Sequence, residues 1–296
     1  KVTEDSIKIP ENYRSIFYKQ FDKTRDEFII NNFPDKFELS INLSREYRQL
    51  ENKIMKKLSL KDITMSNNVE RFLHNPLNEL RRELFDLLID LLINNISREE
   101  FIKVGRNKIE TVLKNTYKIA YTKYFILKLI DELKAEDIYY IPMSIPSSTE
   151  LIKHPIGLKE SVPPPQKADK ISFEVPRKTT LLIPDFIIYS AEIKKYIAFR
   201  TELGKALWEA GGLSRQREWI SIKDIIKENG PVRISPDLLL YIDDDLENIN
   251  LAADAAVLCR PDIIFECTDS INVDLLEDKA EALYQYTKIL NPSVGS

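Results

Sequence analysis

Seven prolines lie between Tyr140 and Thr179, and this cluster constrains the fold more than any other feature of the sequence. Such a proline density excludes regular helix, because each ring removes a backbone N–H and clashes with the preceding turn. It suits an extended connector or a loop wrapped on a neighbouring part of the chain. We therefore predict a helical domain at 1–140, a proline-rich connector at 141–178 and an α/β domain at 179–296.

The first 140 residues have the pattern of a helical domain. Leucines recur at spacings of three and four residues in "NPLNELRRELFDLLIDLLINN", which predicts helix with one apolar stripe. Ser97 and Glu100 then form a capping box, in which each side chain binds the backbone N–H of the other residue. This signal predicts a long helical segment from Ser97 to about Lys134.

Strands and helices alternate from Thr179 onward. Four apolar runs predict strands, "TTLLIPDFIIYS", "KYIAFR", "PDLLLYI" and "PDIIFECT", of which the first two are joined by the short turn "AEIK". Three segments predict helices, namely "TELGKALWEAGG", "INLAADAAVL" and "VDLLEDKAEALYQYTKIL". The sequence therefore predicts an α+β protein with a helical N-terminal domain and a C-terminal α/β domain.

The composition counts against several classes of site. The chain has seven glycines, and neither a GxxxxGK[ST] nor a GxGxxG stretch occurs in it, so we expect no nucleotide cofactor. Two histidines and two cysteines are too few to favour a Cys/His zinc site. Metal chemistry on carboxylates needs no histidine, and this class stays open.

The cysteines bear on the compartment of the protein. Cys259 and Cys267 stand eight residues apart, in or beside one apolar strand, and are the only cysteines. Two thiols so placed are too far apart to pair with each other, and free thiols fit a reducing compartment, so we expect a cytoplasmic protein. No apolar run approaches the roughly 20 residues that a membrane span requires, and we expect no membrane partner.

Acidic residues interrupt the apolar strand "RPDIIFECTDS". Side chains alternate along a strand, so Asp262 and Glu266 share one face, about 13 Å apart at the usual rise per residue. One metal ion cannot be held by both, and a partner for Glu266 must come from a neighbouring strand. Asp237, at the start of "PDLLLYI", is the candidate. The alternative is that both acids are strand ends that reach solvent.

The run "PDLLLY…DIIFECT…EDKAEALYQY", within residues 200–290, resembles the PD-(D/E)xK nuclease superfamily. The resemblance implies a restriction-endonuclease-like α/β domain with a central mixed sheet. It implies that Asp237 and Glu266, with the carbonyl of Cys267, hold Mg²⁺ or Mn²⁺, and that the site hydrolyses phosphodiester bonds in DNA. The fold also implies a further strand after the last helix, so we expect more chain beyond residue 296.

The sequence departs from this family at the lysine, which would stand two residues after the glutamate. Thr268 occupies that position and cannot supply a positive charge. Lys279 on the following helix is a candidate for a relocated lysine, and Gln285 is a second catalytic candidate on the same helix. Otherwise the fold has lost its activity and kept DNA binding or scaffolding. The alternative is that Lys279 is a surface residue, as a lysine on an amphipathic helix more often is.

A second placement of the motif exists upstream, in "IPDFIIYSAEIKK". Here Asp185 would be the first acid, and Glu192 and Lys194 would complete a literal Glu-x-Lys. Glu192 falls in the predicted hairpin turn, however, and the next strand carries Arg200 where an acid would be useful. We therefore rank this site below the first.

Basic residues follow one face of the long helical segment over 103–128. At 100° per residue they fall within an arc of about 120°, opposite an apolar arc that includes Val112, Ile119 and Ile126. Such a stripe can follow a phosphate backbone, and the alternative is a solvated helix face. The basic residues are Lys103, Arg106, Lys114, Lys118 and Lys128.

These observations favour a DNA-acting protein, either a Mg²⁺-dependent nuclease or a degenerate descendant that binds DNA. The competing hypothesis is a non-catalytic assembly or regulatory scaffold that docks on partner proteins. It is supported by Thr268 in the place of the lysine and by the proline-rich connector. We expect DNA as the partner in the first case, and other proteins or a second copy of the chain in the second.

Overall fold

The computed structural model describes most of the chain in nine segments. These are residues 2–3, 6–142, 164–173, 184–201, 219–221, 227, 236–246, 257–268 and 273–292. The chain is an α+β protein and forms two compact units, one made of 1–50 and 66–124, the other of 51–65 and 125–296.

The boundary between the units differs from the one expected from the prolines, because it falls inside the long helix. The segment 51–65 and the end of that helix contribute to the second unit through direct contacts. Lys53 pairs with Asp131 at 2.6 Å, and the hydroxyl of Ser190 donates to the Leu133 carbonyl at 2.5 Å. The expected proline-rich connector is described only at 141–142 and 164–173.

Helices dominate the first unit. The predicted leucine stripe divides into two helices at Leu84, and the long predicted helix is confirmed. Its capping box is present on one side, since the Glu100 N–H donates to Ser97 Oγ at 3.1 Å. The elements are β1 (Val2–Thr3), β2 (Ser6–Ile7), a 3₁₀ turn (Glu11–Tyr13), α1 (Arg14–Asn32), α2 (Pro34–Lys57), α3 (Asn67–His74), α4 (Pro76–Glu83), α5 (Phe85–Leu92) and α6 (Arg98–Glu132).

Most described strands lie in the second unit, and six of them form one sheet in the order β12-β10-β8-β7-β4-β5. All four predicted strands are present, and the last predicted helix is confirmed as α7. The elements are β3 (Asp62–Thr64), β4 (Ala135–Tyr140), β5 (Gln166–Lys167), β6 (Lys170–Ser172), β7 (Phe186–Ser190), β8 (Lys195–Thr201), β9 (Trp219–Ser221), β10 (Leu238–Asp243), β11 (Val257–Cys259), β12 (Ile263–Phe265) and α7 (Val273–Leu290).

The expectation of a mixed central sheet is wrong for the described strands. Every pairing within the six-stranded sheet is antiparallel, and the parallel pair β3–β6 lies in a separate two-stranded sheet. One cause is local, because a turn of four residues, 191–194, joins β7 to β8, and so short a connection can only link antiparallel neighbours.

Two predicted helices lie largely outside the described residues. The segment "TELGKALWEAGG" is described only at Thr201, the last residue of β8. The segment "INLAADAAVL" is described only at its end, where Val257 and Leu258 belong to β11. Among the described helices, none has the length and apolar character needed to cross a membrane.

The register of the six-stranded sheet defines which side chains share a face. Leu238 pairs with both Thr201 and Phe265, so these three project to one side. The ring of Phe125, near the end of α6, contacts Phe265 there at 5.5 Å between centroids. Asp237 precedes Leu238 and therefore projects to the opposite side, where α7 packs. The end of α6 at Phe125 and helix α7 therefore contact opposite faces of the sheet.

Candidate metal site

Two carboxylates meet at one end of the sheet, on the α7 side. Asp237 immediately precedes β10, and Glu266 immediately follows β12. These strands are antiparallel neighbours in which Leu238 pairs with Phe265, so the next residue outward on each strand comes side by side. The structure therefore brings together the two acids that the sequence singled out.

Backbone N–H groups fix the orientation of both carboxylates. The N–H of Asp237 donates to Glu266 Oε1 at 3.2 Å, and the N–H of Cys267 donates to Asp237 Oδ2 at 2.9 Å. Each acid is thereby held by the backbone of the other strand. The Glu266 side chain is 4% exposed and that of Asp237 is 14% exposed. The alternative of strand ends that reach solvent does not describe side chains this buried.

Lys279 supplies the cation of the site from α7. Its ammonium Nζ donates to Asp237 Oδ2 at 3.1 Å and to Glu266 Oε2. The side chain is 20% exposed, so the surface interpretation of this lysine is wrong. A single ammonium group thus bridges the two carboxylates, and the three groups together carry one negative charge when all are ionised.

The pKa values of this cluster are shifted by burial and by mutual contact. Burial raises the pKa of Glu266 above its ordinary value, and the charge of Asp237 raises it further, while the hydrogen bond from Lys279 lowers it. Burial lowers the pKa of Lys279, but the hydrogen bond to Glu266 and the charges of both acids outweigh it and raise the pKa. The lysine therefore remains charged at neutral pH.

The donor set suits a hard divalent cation with few protein ligands. Both carboxylates contact one cation, the Lys279 ammonium, so their oxygens are close enough to share another. Mg²⁺ takes oxygen ligands, and it is commonly held by one or two carboxylates together with waters. Within the described ranges, no cluster of three or more His, Cys, Asp or Glu side chains exists. The thiol of Cys267 is buried, and its backbone N–H is the part seen to contact Asp237.

The structure does not bring Gln285 to this site. Gln285 is exposed and lies about 120° around α7 from Lys279, since successive residues turn by 100°. The catalytic assignment of Gln285 is therefore not supported by its position. The spacing in the sequence already indicated that Gln285 and Lys279 lie on different faces of this helix. Lys279 shares its half-buried face with Ala282 and Leu283.

The second placement of the motif does not converge. Asp185 precedes β7 and Glu192 lies in the exposed turn after it, at opposite ends of the strand. The Asp185 carboxylate is also fully engaged. It accepts from Arg200 Nη1 at 2.9 Å, from the Thr201 N–H at 2.7 Å and from Thr201 Oγ1 at 2.8 Å. Lys194 is exposed in the same turn, with a positive φ of 54°.

The basic residues of α6 are exposed, but the buried face of the helix differs from the predicted apolar arc. Of that arc, Ile126 is buried and Ile119 is exposed, and the buried residues of the helix also include Ile109, Leu113 and Ala120. Packing against other helices of the first unit selects the buried face, and hydrophobicity alone does not. The exposed basic residues are Lys103, Arg106, Lys114, Lys118 and Lys128.

The tyrosines interleaved with these basic residues are packing residues. The rings of Tyr117 and Tyr121 stack at 6.4 Å, and Tyr124 contacts Tyr121 at 6.2 Å. The Tyr124 hydroxyl donates to Glu46 Oε2 at 2.6 Å, and burial raises its pKa. Nucleic-acid bases could stack on these tyrosine rings only if the rings gave up the contacts described here.

A Pro-Asp pair precedes three strands of the sheet, two at the end that holds the carboxylate pair and one at the opposite end, and this recurrence was not recognised in the sequence. Pro-Asp opens β7, β10 and β12, and each aspartate accepts an N–H from an antiparallel neighbour strand. Asp185 accepts from Thr201, Asp237 from Cys267, and Asp262 from Ile242 at 2.6 Å. The threefold recurrence of Pro-Asp before an apolar run was the available signal.

No protein-family model, curated protein or solved structure matches this chain. The resemblance to the PD-(D/E)xK superfamily therefore stays a prediction from the residues that carry it.

Proposed function

We propose that this chain is a divalent-metal-dependent nuclease that hydrolyses phosphodiester bonds in DNA. Asp237 and Glu266 are the proposed metal ligands, and Lys279 is the proposed cationic group beside the metal. One observation carries the proposal. Two buried carboxylates from neighbouring strands converge on a single cation, with the lysine of the cluster arriving from the following helix.

Each residue has a distinct task in this reaction. When bound, the divalent ion polarises the phosphate and lowers the pKa of a water molecule. Asp237 and Glu266 hold the ion and are kept in place by the N–H groups of Cys267 and Asp237. Lys279 keeps its charge because its pKa is raised, and it donates to the phosphate oxygen that gains negative charge. The water oxygen bonds to phosphorus and its proton passes to solvent, while the bond between phosphorus and the leaving sugar oxygen breaks and that oxygen takes a proton from solvent.

The ammonium of Lys279 and a divalent ion compete for the same carboxylate oxygens. The lysine neutralises part of the negative charge of the two carboxylates. A divalent ion must therefore displace at least one of its two hydrogen bonds. This competition distinguishes a metal site from a purely structural ion pair, because removing the lysine then strengthens metal binding while it weakens catalysis.

A second candidate function is a non-catalytic scaffold, and the lysine bridge is the observation that favours it. A bridge of this kind can be a permanent structural contact that holds α7 on the sheet. Thr268 in the place of the family lysine is consistent with absence of activity. In that case the carboxylates bind no divalent ion, whether Lys279 is present or replaced.

Calorimetric titration with Mn²⁺, combined with plasmid cleavage in Mg²⁺ or Mn²⁺, tests the proposal. Wild type is expected to bind Mn²⁺ and to nick the plasmid, and Glu266→Gln and Asp237→Asn to lose both properties while remaining folded. Asp244→Asn is the matched control, since Asp244 is an exposed acid at the far end of β10 that pairs with Lys195. Equal cleavage by wild type and Glu266→Gln removes the proposed site.

A further inference from the structure

Arg200 lies beside the carboxylate pair on the same face of the sheet. It is the penultimate residue of β8 and pairs with Leu239 of β10. Asp237 stands two residues before Leu239, so Arg200 and Asp237 are diagonal neighbours, roughly 7–8 Å apart by the usual sheet spacing. The cation therefore adjoins the cluster formed by Asp237, Glu266 and Lys279.

Asp185 holds this guanidinium in a fixed place. Asp185 Oδ1 accepts from Arg200 Nη1 at 2.9 Å, and the other oxygen is engaged by Thr201. The Asp185 side chain is 4% exposed and that of Arg200 is 12% exposed. The arginine is thus anchored on one side only and is pre-oriented before any ligand arrives.

One donor of this guanidinium has no acceptor. Arg200 Nε is buried and makes no hydrogen bond to any part of the chain that the structure describes. Buried polar groups are nearly always hydrogen-bonded, so such an atom requires an explanation. A bound anion beside the carboxylate cluster supplies one, since guanidinium N–H groups match the oxygens of a phosphate.

We propose that Arg200 is a substrate-binding residue that donates Nε–H to a non-bridging oxygen of the DNA phosphodiester. This inference rests on the proposed function, and it also assigns a role to Asp185, that of the positioning residue for Arg200. The arrangement places two cations, Lys279 and Arg200, on either side of Asp237. A phosphodiester anion next to two carboxylates needs such compensation.

The test combines two measurements. Fluorescence anisotropy in the presence of Ca²⁺ measures the affinity for a short labelled DNA duplex, and calorimetry measures the affinity for Mn²⁺. Arg200→Lys keeps the charge and removes the Nε–H donor. It is expected to weaken DNA binding roughly tenfold to a hundredfold, the range that one charged hydrogen bond contributes, with Mn²⁺ affinity unchanged. Lys195→Ala is the matched control, because Lys195 is a cation at the opposite end of the same strand.

Two outcomes overturn the inference, namely equal DNA affinity of Arg200→Lys and wild type, or no DNA binding by wild type. Failure of the proposed function has a different signature, which is no Mn²⁺ binding and no cleavage while DNA affinity still depends on Arg200. If Arg200→Lys does not fold, Asp185→Asn provides the same test. It leaves the guanidinium in the chain and removes its charged anchor, so DNA binding must weaken with Mn²⁺ affinity retained.

Discussion

Replacing Lys279 by methionine separates a metal site from a structural ion pair. The ammonium makes two hydrogen bonds to carboxylates whose side chains are 14% and 4% exposed. Removing one partner of a buried ion pair costs about 3–5 kcal/mol. A fifth of the lysine side chain is exposed, and screening by solvent reduces the expected loss of unfolding free energy to about 2–3 kcal/mol.

Mn²⁺ is expected to reverse this destabilisation. The variant has two adjacent carboxylates and no competing ammonium, so it binds Mn²⁺ more tightly than wild type. A ligand at a hundred times its Kd stabilises the folded state by about 2.7 kcal/mol, which matches the destabilisation. Urea denaturation in EDTA and in Mn²⁺ measures both quantities. Lys279→Met is also expected to cleave plasmid more slowly than wild type, despite tighter metal binding.

Lys288→Met is the control for this experiment. Lys288 lies on the same helix, is exposed, and stacks over the Tyr284 ring at 4.2 Å. Its replacement is expected to change the unfolding free energy by less than about 0.5 kcal/mol, with or without Mn²⁺. If Lys279→Met is destabilised equally in EDTA and in Mn²⁺, the carboxylates do not hold a metal and the reasoning is refuted.

Three further predictions concern pH, the basic helix and the upstream motif. Burial raises the pKa of Glu266, so protons compete with Mn²⁺ for this carboxylate at higher pH than they would for an ordinary glutamate. Calorimetry at decreasing pH should show Mn²⁺ affinity falling as the pH is lowered, and an affinity that does not change on acidification contradicts the role of Glu266 as a ligand. Replacing Lys114 and Lys118 by glutamine should make DNA affinity less dependent on salt. The slope of log DNA affinity against log salt concentration should decrease in magnitude by about 0.9 for each DNA phosphate that the protein no longer neutralises. An unchanged slope would mean that the basic residues of α6 are not part of the DNA interface. Glu192→Gln should leave plasmid cleavage unchanged, because Glu192 lies at the far end of β7 from Asp185, and reduced cleavage would revive the upstream site.

The acids of the site were predictable from the sequence because the signal is local. A strand that is apolar except for one acid near its end places that acid at the sheet margin, and Asp237 at the opening of another strand provides a neighbour. Their contact follows from one antiparallel pairing, Leu238 with Phe265. Lys279 was identifiable as a candidate, but its approach to the acids depends on how α7 packs on the sheet.

Other features depend on contacts between distant residues and were not predictable. Strand direction across the sheet is set by pairings such as that of β4 with β7, which lie far apart along the chain. The salt bridge between Arg200 and Asp185 follows from the register of β7 and β8, which a sequence alone leaves open. The buried face of α6 is selected by neighbouring helices, so Ile119 became exposed although it is apolar.

Crystals soaked in Mn²⁺, measured at the manganese absorption edge, test the central claim most directly. We predict one anomalous peak between Asp237 and Glu266, within bonding distance of oxygens of both carboxylates, with the Lys279 ammonium displaced from at least one of them. A fully soaked crystal with no peak there, and with Lys279 still bridging both carboxylates, would contradict it.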